Sequence, residues 1–258
     1  MGGRQVTGLV SHIPPYNKGQ IHMKKTIGIL GGMGPLATTD LMEKIIRHTD
    51  AGCDQEHIHI CVDCNTNIPD RTAAILRHGE DPLPEMVKSA VRLQAMGADV
   101  LIMPCNTAHF FLEHIQKFVD IPILNMPQET AKYLQSRGIF EAAVLATDGT
   151  IQCGIYDKAL REAGIHPIYP DTQEQQMIMS LIYDCVKAGK PCSSPEKVHG
   201  MRNRLLEEGA KTLILGCTEL PIAFSQLGIS EQVVDPTDVL AQAAINFVQG
   251  KIKLTSEN

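Results

Sequence analysis

Leu101-Ile102-Met103-Pro104-Cys105-Asn106-Thr107-Ala108-His109 is a short apolar run that delivers a cysteine and small hydrogen-bonding residues where a buried strand should end and a helix begin. A second copy, Leu213-Ile214-Leu215-Gly216-Cys217-Thr218-Glu219-Leu220-Pro221, follows 112 residues later. Even the approaches match, Gly97-Ala98-Asp99-Val100 before the first and Gly209-Ala210-Lys211-Thr212 before the second. Upstream of each lies a strand ending in a small-residue turn: Thr26 to Leu30 before Gly31-Gly32-Met33-Gly34-Pro35, and Glu141 to Ala146 before Thr147-Asp148-Gly149-Thr150. The first turn precedes its cysteine by 74 residues and the second by 70, so the chain reads as a duplicated domain and not as a short solenoid repeat.

Between these landmarks strands and helices alternate. Helices are expected over Leu36 to His48, Pro84 to Met96, Ala108 to Phe118, Gln128 to Gln135, Ile151 to Glu162, Gln173 to Ala188, Pro195 to Glu208 and Thr237 to Gln249. Further strands are expected at His57 to Val62, Val100 to Met103 and Ile121 to Leu124. Such alternation argues for α/β architecture, with parallel sheets covered on both faces. The expected domains are residues 23–125 with a returning helix in 236–258, and residues 126–235. Residues 1–22, rich in Gly, Pro and polar side chains, read as a flexible leader or an expression remnant.

The 258 residues, 43% hydrophobic and 20% charged, are enough for a sizeable core. A net charge of −6 makes no electrostatic case for nucleic acid or an anionic membrane, and no apolar run approaches a membrane span. Without a secretory signal the eight cysteines read as reduced, in a soluble, cytoplasmic protein. Cys53, Cys61, Cys64, Cys153, Cys185 and Cys192 read as small buried hydrophobes. Cys61-x-x-Cys64 lacks a second ligand pair for zinc, the histidines form no metal motif, and the glycine turn does not match a dinucleotide fingerprint.

Cys105 and Cys217 are different. In open parallel sheets ligands bind beyond the carboxyl ends of the strands, where helix N-termini favour thiolates and receive carboxylates. If the halves face each other, a small anion between them meets a thiol on each side. Inverting a carbon centre by proton transfer requires one group to remove a proton and another to deliver one from the opposite face. Two thiols can exchange those roles. His109, four residues after Cys105, is a candidate partner in a Cys–His pair.

The Gly31 to Pro35 turn, Asn65 to Arg71, Pro104-Cys105-Asn106-Thr107, Thr147 to Thr150 and Leu215 to Pro221 resemble the motifs of the cofactor-independent aspartate/glutamate racemases, in the expected order from about Lys25 to Gly250. The resemblance implies two pseudo-symmetric flavodoxin-like domains, an active-site cleft between them, no cofactor such as pyridoxal phosphate, and, as is common in the family, a homodimer. Gly-Gly-Met in the first turn and Glu219 resemble the aspartate branch, since glutamate racemases typically carry Asp-Ser in that turn and His after the second Cys-Thr. By the same resemblance Cys105 and Cys217 are the alternating acid and base. Arg71 and Lys187 would hold the side-chain carboxylate of a small dicarboxylic amino acid. Met33, Asn106, Thr107, Thr147 and Thr218 would line its backbone end, with Glu219 near Cys217. Rival readings keep the fold and change the chemistry, to an isomerase, a decarboxylase or a hydantoin racemase, or make the cleft a non-catalytic amino-acid sensor or a covalent cysteine hydrolase.

Overall fold

The computed structural model describes residues 25–252 apart from 77 and 249, so the expected leader over residues 1–22 lies outside the described residues. β1 (Ile27–Gly31) is buried throughout and runs through a glycine turn into α1 (Pro35–His48). Pro35 occupies the first helical turn, where a missing N–H costs nothing. The Thr38 hydroxyl ties that turn together, accepting from the Gly32 N–H (2.9 Å) and donating to the Gly34 carbonyl (3.1 Å). β2 (Ile60–Cys64), α2 (Arg71–Ile75), α3 (Leu83–Ala95) and β3 (Val100–Ile102) follow. Then come α4 (Leu112–Ile115), flanked by 3-10 turns, and α5 (Met126–Ser136).

The second half repeats the plan with β4 (Glu141–Ala146), α6 (Asp148–Gln152), α7 (Ile155–Glu162), β5 (His166–Ile168), α8 (Thr172–Ser180) and a π-helical turn, Leu181–Val186. α9 (Pro195–Glu207), β6 (Thr212–Gly216), α10 (Leu220–Gln226), β7 (Val233–Val234) and α11 (Pro236–Phe247) complete it. All strand pairs are parallel, in the order β2-β1-β3 in one sheet and β5-β4-β6-β7 in the other. A parallel bridge from Leu101 to Ile123 supplies the counterpart of β7, so the two halves share one strand order. Each is thus a doubly wound α/β unit, with β1–β3 and β4–β6 delivering their carboxyl ends to the same region.

Period-two alternation loads both faces of each sheet. Leu30 and Leu101 pack into one cluster while Ile27, Ile29, Val100 and Ile102 pack into another on the opposite face. In the second sheet Leu145, Leu213 and Leu215 face one way, and Val144 and Ile214 the other. α11 returns to the first half: Leu240, Ala241, Ala244 and Ile245 are fully buried against Ile27, Leu41 and Ile45. Burial of Leu240 and Ile245 is worth about 2 kcal/mol each. Lys44 on α1 meets Asp235, the N-cap of α11, at 2.5 Å, and His48 meets Asp238 at 2.6 Å. α5 belongs to both halves, with Met126 in the first core and Ala131 and Leu134 in the second.

Several expectations shift for local reasons. The segment Ile121 to Leu124 makes a bridge and not a strand, because Pro122 has no N–H to extend the ladder; Leu101 donates to the Pro122 carbonyl and Leu124 to the Leu101 carbonyl. The second strand starts three residues later than the His57 expected, since its register begins where Ile27 meets Ile60. The helix expected over Ala108 to Phe118 is split into 3-10 and α turns, and the one over Ile151 to Glu162 breaks at Gly154, whose φ is +64°. β5 carries His-Pro-Ile, a sequence without alternation, and was not anticipated. Of the six cysteines expected to be buried only Cys61 is; Cys53 and Cys64 are exposed and Cys153, Cys185 and Cys192 are intermediate. Three residues apart on β2, Cys61 and Cys64 point to opposite faces of the sheet. Among the described residues no helix is long and apolar enough to cross a membrane.

Candidate active site

The ten residues singled out from the sequence converge on one cavity between the two halves: Met33, Arg71, Cys105, Asn106 and Thr107 from the first, Thr147, Lys187, Cys217, Thr218 and Glu219 from the second. Asp70, Thr72 and Tyr183 complete the lining. Cys105 follows the end of β3 and Cys217 the end of β6, the carboxyl ends where doubly wound sheets place ligands. Both thiols are 7% exposed.

On the first wall, Asp70 caps α2 by accepting from the Ala73 N–H (2.8 Å), which fixes Arg71 as the first residue of the helix. The buried guanidinium folds back onto backbone, donating to the carbonyls of Pro69 (2.9 Å), Met33 (3.0 Å) and Ile68 (3.4 Å). That cradle holds it beside the Cys105 thiol, and its Nε is buried without a partner. A fork with two free terminal nitrogens is therefore not what the first wall offers. Backbone carbonyls already engage both.

On the second wall the Glu219 carboxylate is the hub. Its Oε2 accepts from the Cys217 thiol (3.0 Å) and the Thr218 hydroxyl (3.2 Å), and its Oε1 pairs with Lys187 (2.8 Å). Burial and this carboxylate together push the Cys217 thiol well above the usual thiol range. Burial works against the Lys187 charge, but the Glu219 carboxylate outweighs it and raises the ammonium above its ordinary value. The π-helical turn carries Tyr183 and ends just before Lys187, whose ammonium lies 5.6 Å from the ring centre. The two thiols, matched in sequence, therefore meet unlike surroundings: a guanidinium beside Cys105, a carboxylate beside Cys217.

A seam of buried hydroxyls joins the walls. Thr107 contacts Thr147 (3.1 Å) and Thr150 (2.8 Å), and Thr72 donates to Thr147 (3.2 Å). Thr147 is also the N-cap of α6. Tyr156, from α7, donates across the seam to Asn106 Oδ1 (2.5 Å) and leaves Asn106 Nδ2 buried without a partner. Tyr183 likewise crosses to Asp70 (3.3 Å). The cavity between the walls has about 20 Å³ of free space.

Sequence reasoning missed Asp70, Thr72, Thr150, Tyr156 and Tyr183. Tyr183 had a signal, its spacing of four from Lys187, which puts both on one helix face. Tyr156 had none, because its role exists only when the halves meet.

His109 does not pair with the Cys105 thiol. Its Nδ1 donates to the Cys105 carbonyl (2.9 Å), leaving Nε2 buried without a partner. Burial drives its pKa down to about 4. A histidine kept neutral when folded stabilises the fold above its ordinary value of about 6.5 and loses that contribution as pH falls towards 4. Urea unfolding between pH 7 and pH 4 should show about 3 kcal/mol less of this acid loss in His109→Gln than in the wild type. Parallel pH curves for the two proteins would contradict that.

The Asp/Glu/Hydantoin racemase family model matches residues 30–244. The broad specificity amino-acid racemase RacX of Bacillus subtilis is 29% identical over 228 residues, covering 85% of this chain and 96% of that protein. The structure of the Picrophilus torridus aspartate racemase superposes with a TM-score of 0.77 at 32% identity, covering 89% of this chain and 96% of that one. An aspartate racemase homologue from Pyrococcus horikoshii, 23% identical with a TM-score of 0.71 over 88% of this chain and all of that one, shares the fold. The matched segment takes in both cysteine turns, and the chain belongs to the Asp/Glu/Hydantoin racemase family of isomerases.

Proposed function

We propose that this racemase interconverts L- and D-aspartate by two-base proton transfer between Cys105 and Cys217, with glutamate as the alternative substrate. The carrying observation is that the two thiols line one buried cavity from opposite halves, together with two cations, Arg71 and Lys187. As a thiolate, one cysteine takes the Cα proton and becomes a thiol. The other, as a thiol, gives its proton to the opposite face and becomes a thiolate. The carbanion between these steps needs hydrogen-bond donors on its α-carboxylate; Asn106 Nδ2, buried and unpartnered, and the hydroxyls of Thr107, Thr147 and Thr218 are at hand. Arg71 Nε and Lys187 supply charge for the distal carboxylate. Met33 bounds the same cavity. An additional methylene is worth only about 1–3 kcal/mol, so aspartate and glutamate are separated by degree. A cytoplasmic homodimer belongs to the same proposal.

The test is incubation of each antipode of Asp, Glu, Asn and Ala in heavy water, read by chiral chromatography and by deuterium at Cα. Racemisation of aspartate with Cα exchange is expected. No exchange with either dicarboxylic amino acid, with turnover of a hydantoin or an unsaturated dicarboxylate instead, overturns the reading. So does a stable acyl-enzyme seen by mass spectrometry.

A further inference from the structure

Glu219, expected beside Cys217, has both its carboxylate oxygens taken up within the protein, by Cys217, Thr218 and Lys187. The ionisable groups around Cys217 are Glu219 from its own turn, Tyr183 from the π-helical turn, Lys187 just after it and Tyr156 from α7, with Cys105, Arg71 and Asp70 on the other wall of the cavity. Burial, first among the causes, moves both tyrosines upward, Tyr183 to about 12, so neither carries charge near neutrality. Glu219 is thus the carboxylate bonded to this thiol, and Lys187 the cation paired with that carboxylate. An ionised carboxylate can only accept a hydrogen bond, so at 3.0 Å from Sγ it favours the S–H form and opposes a thiolate.

We infer that Glu219 is a positioning residue that keeps the proton on Cys217, so that the unliganded protein presents Cys217 as a proton donor. The inference rests on the two-thiol reading above. It makes the pair functionally unequal despite the duplication. An antipode that takes its new proton from Cys217 finds that proton in place, whereas one whose Cα–H faces Cys217 must wait for it to leave. Because the two antipodes are equal in free energy, kcat/KM is the same in both directions and the inequality falls on kcat and KM separately. Lys187 acts with the opposite sign, since its ammonium favours a Cys217 thiolate.

Alkylation of the folded, full chain by iodoacetamide from pH 6 to pH 10, resolved by peptide mass spectrometry into Cys105 and Cys217, tests this without any turnover. In the wild type the Cys217 midpoint should lie above the free-thiol value of about 8.5. Glu219→Gln, of the same shape without the charge, should lower that midpoint by at least about one pH unit, so that alkylation at pH 8 is about tenfold faster. Lys187→Met should raise it. An unchanged Cys217 midpoint in folded Glu219→Gln overturns the inference. If that variant does not fold, the wild type decides: a Cys217 midpoint at or below that of a free thiol overturns it, and a higher one that Lys187→Met raises further supports it. Absence of racemisation would refute the proposed reaction and leave this measurement standing, and an unmoved midpoint would leave the reaction standing.

Discussion

Cys105→Ser and Cys217→Ser should each lower racemisation of aspartate by roughly three orders of magnitude, the scale of a lost general acid–base group. Serine keeps the size and the hydrogen-bonding reach of cysteine, so the buried turns after β3 and β6 should hold and the loss should be chemical. A hydroxyl stays protonated at working pH. It cannot take a proton from Cα, and it gives one up far less readily than a thiol. Removing both thiols should cost little more than removing one, because the two act as a unit and either loss already interrupts the transfer. Initial rates from both antipodes, with Cα deuterium measured in the same samples, supply the check. Full racemisation by either single variant would end the two-base scheme.

Gly32→Ala should cost about 4 kcal/mol of stability. Gly32 sits at φ +91°, which an alanine adopts at a cost of about 1–2 kcal/mol. Its added Cβ would stand 2.3 Å from the carbonyl carbon and oxygen of Asn65, and 2.6 Å from its nitrogen. Asn65 cannot readily retreat, because its side-chain amide is bonded to Ser89 (3.1 Å) and Glu85 (3.2 Å), both on α3. Overpacking of that kind adds about 1–3 kcal/mol. Gly154→Ala provides the comparison: φ is +64° there, but an added Cβ meets nothing within 4 Å. It should cost only the backbone component, about 1–2 kcal/mol. Equal losses in urea unfolding would show that backbone strain, and not the Asn65 contact, decides the first position. Gly32→Ala should also disturb the Met33 carbonyl that anchors Arg71, so its activity should fall along with its stability.

The duplicated plan was legible because it is written in local patterns. β4 spans Glu141–Ala146 as expected, and the first helix gains only Pro35 at its start, since long buried runs and proline signals are insensitive to context. The elements that moved are those whose backbone partners lie far along the chain. Whether Ile121 to Leu124 forms a ladder depends on Leu101, and where the second strand begins depends on Ile27. Short edge segments such as His166–Ile168 have too few residues to show a period. Exposure of Cys64 follows from its place at the end of an edge strand, which no pattern of four residues discloses.

By itself, the sequence determined that this is a two-sheet α/β protein with a cysteine at the end of a central strand in each half, and it named ten residues that line one cavity. Those are properties of spacing and residue type, and spacing survives in one dimension. Only the tertiary structure decided how unlike the two thiols are. The carboxylate beside Cys217 is two residues away, but the guanidinium beside Cys105 comes from α2, the lysine that holds Glu219 from just after a π-helical turn, and the Tyr156 that orients Asn106 from the opposite half. Electrostatic bias depends on distance and burial between side chains remote in sequence, so a symmetric pair of motifs folds into an asymmetric pair of thiols.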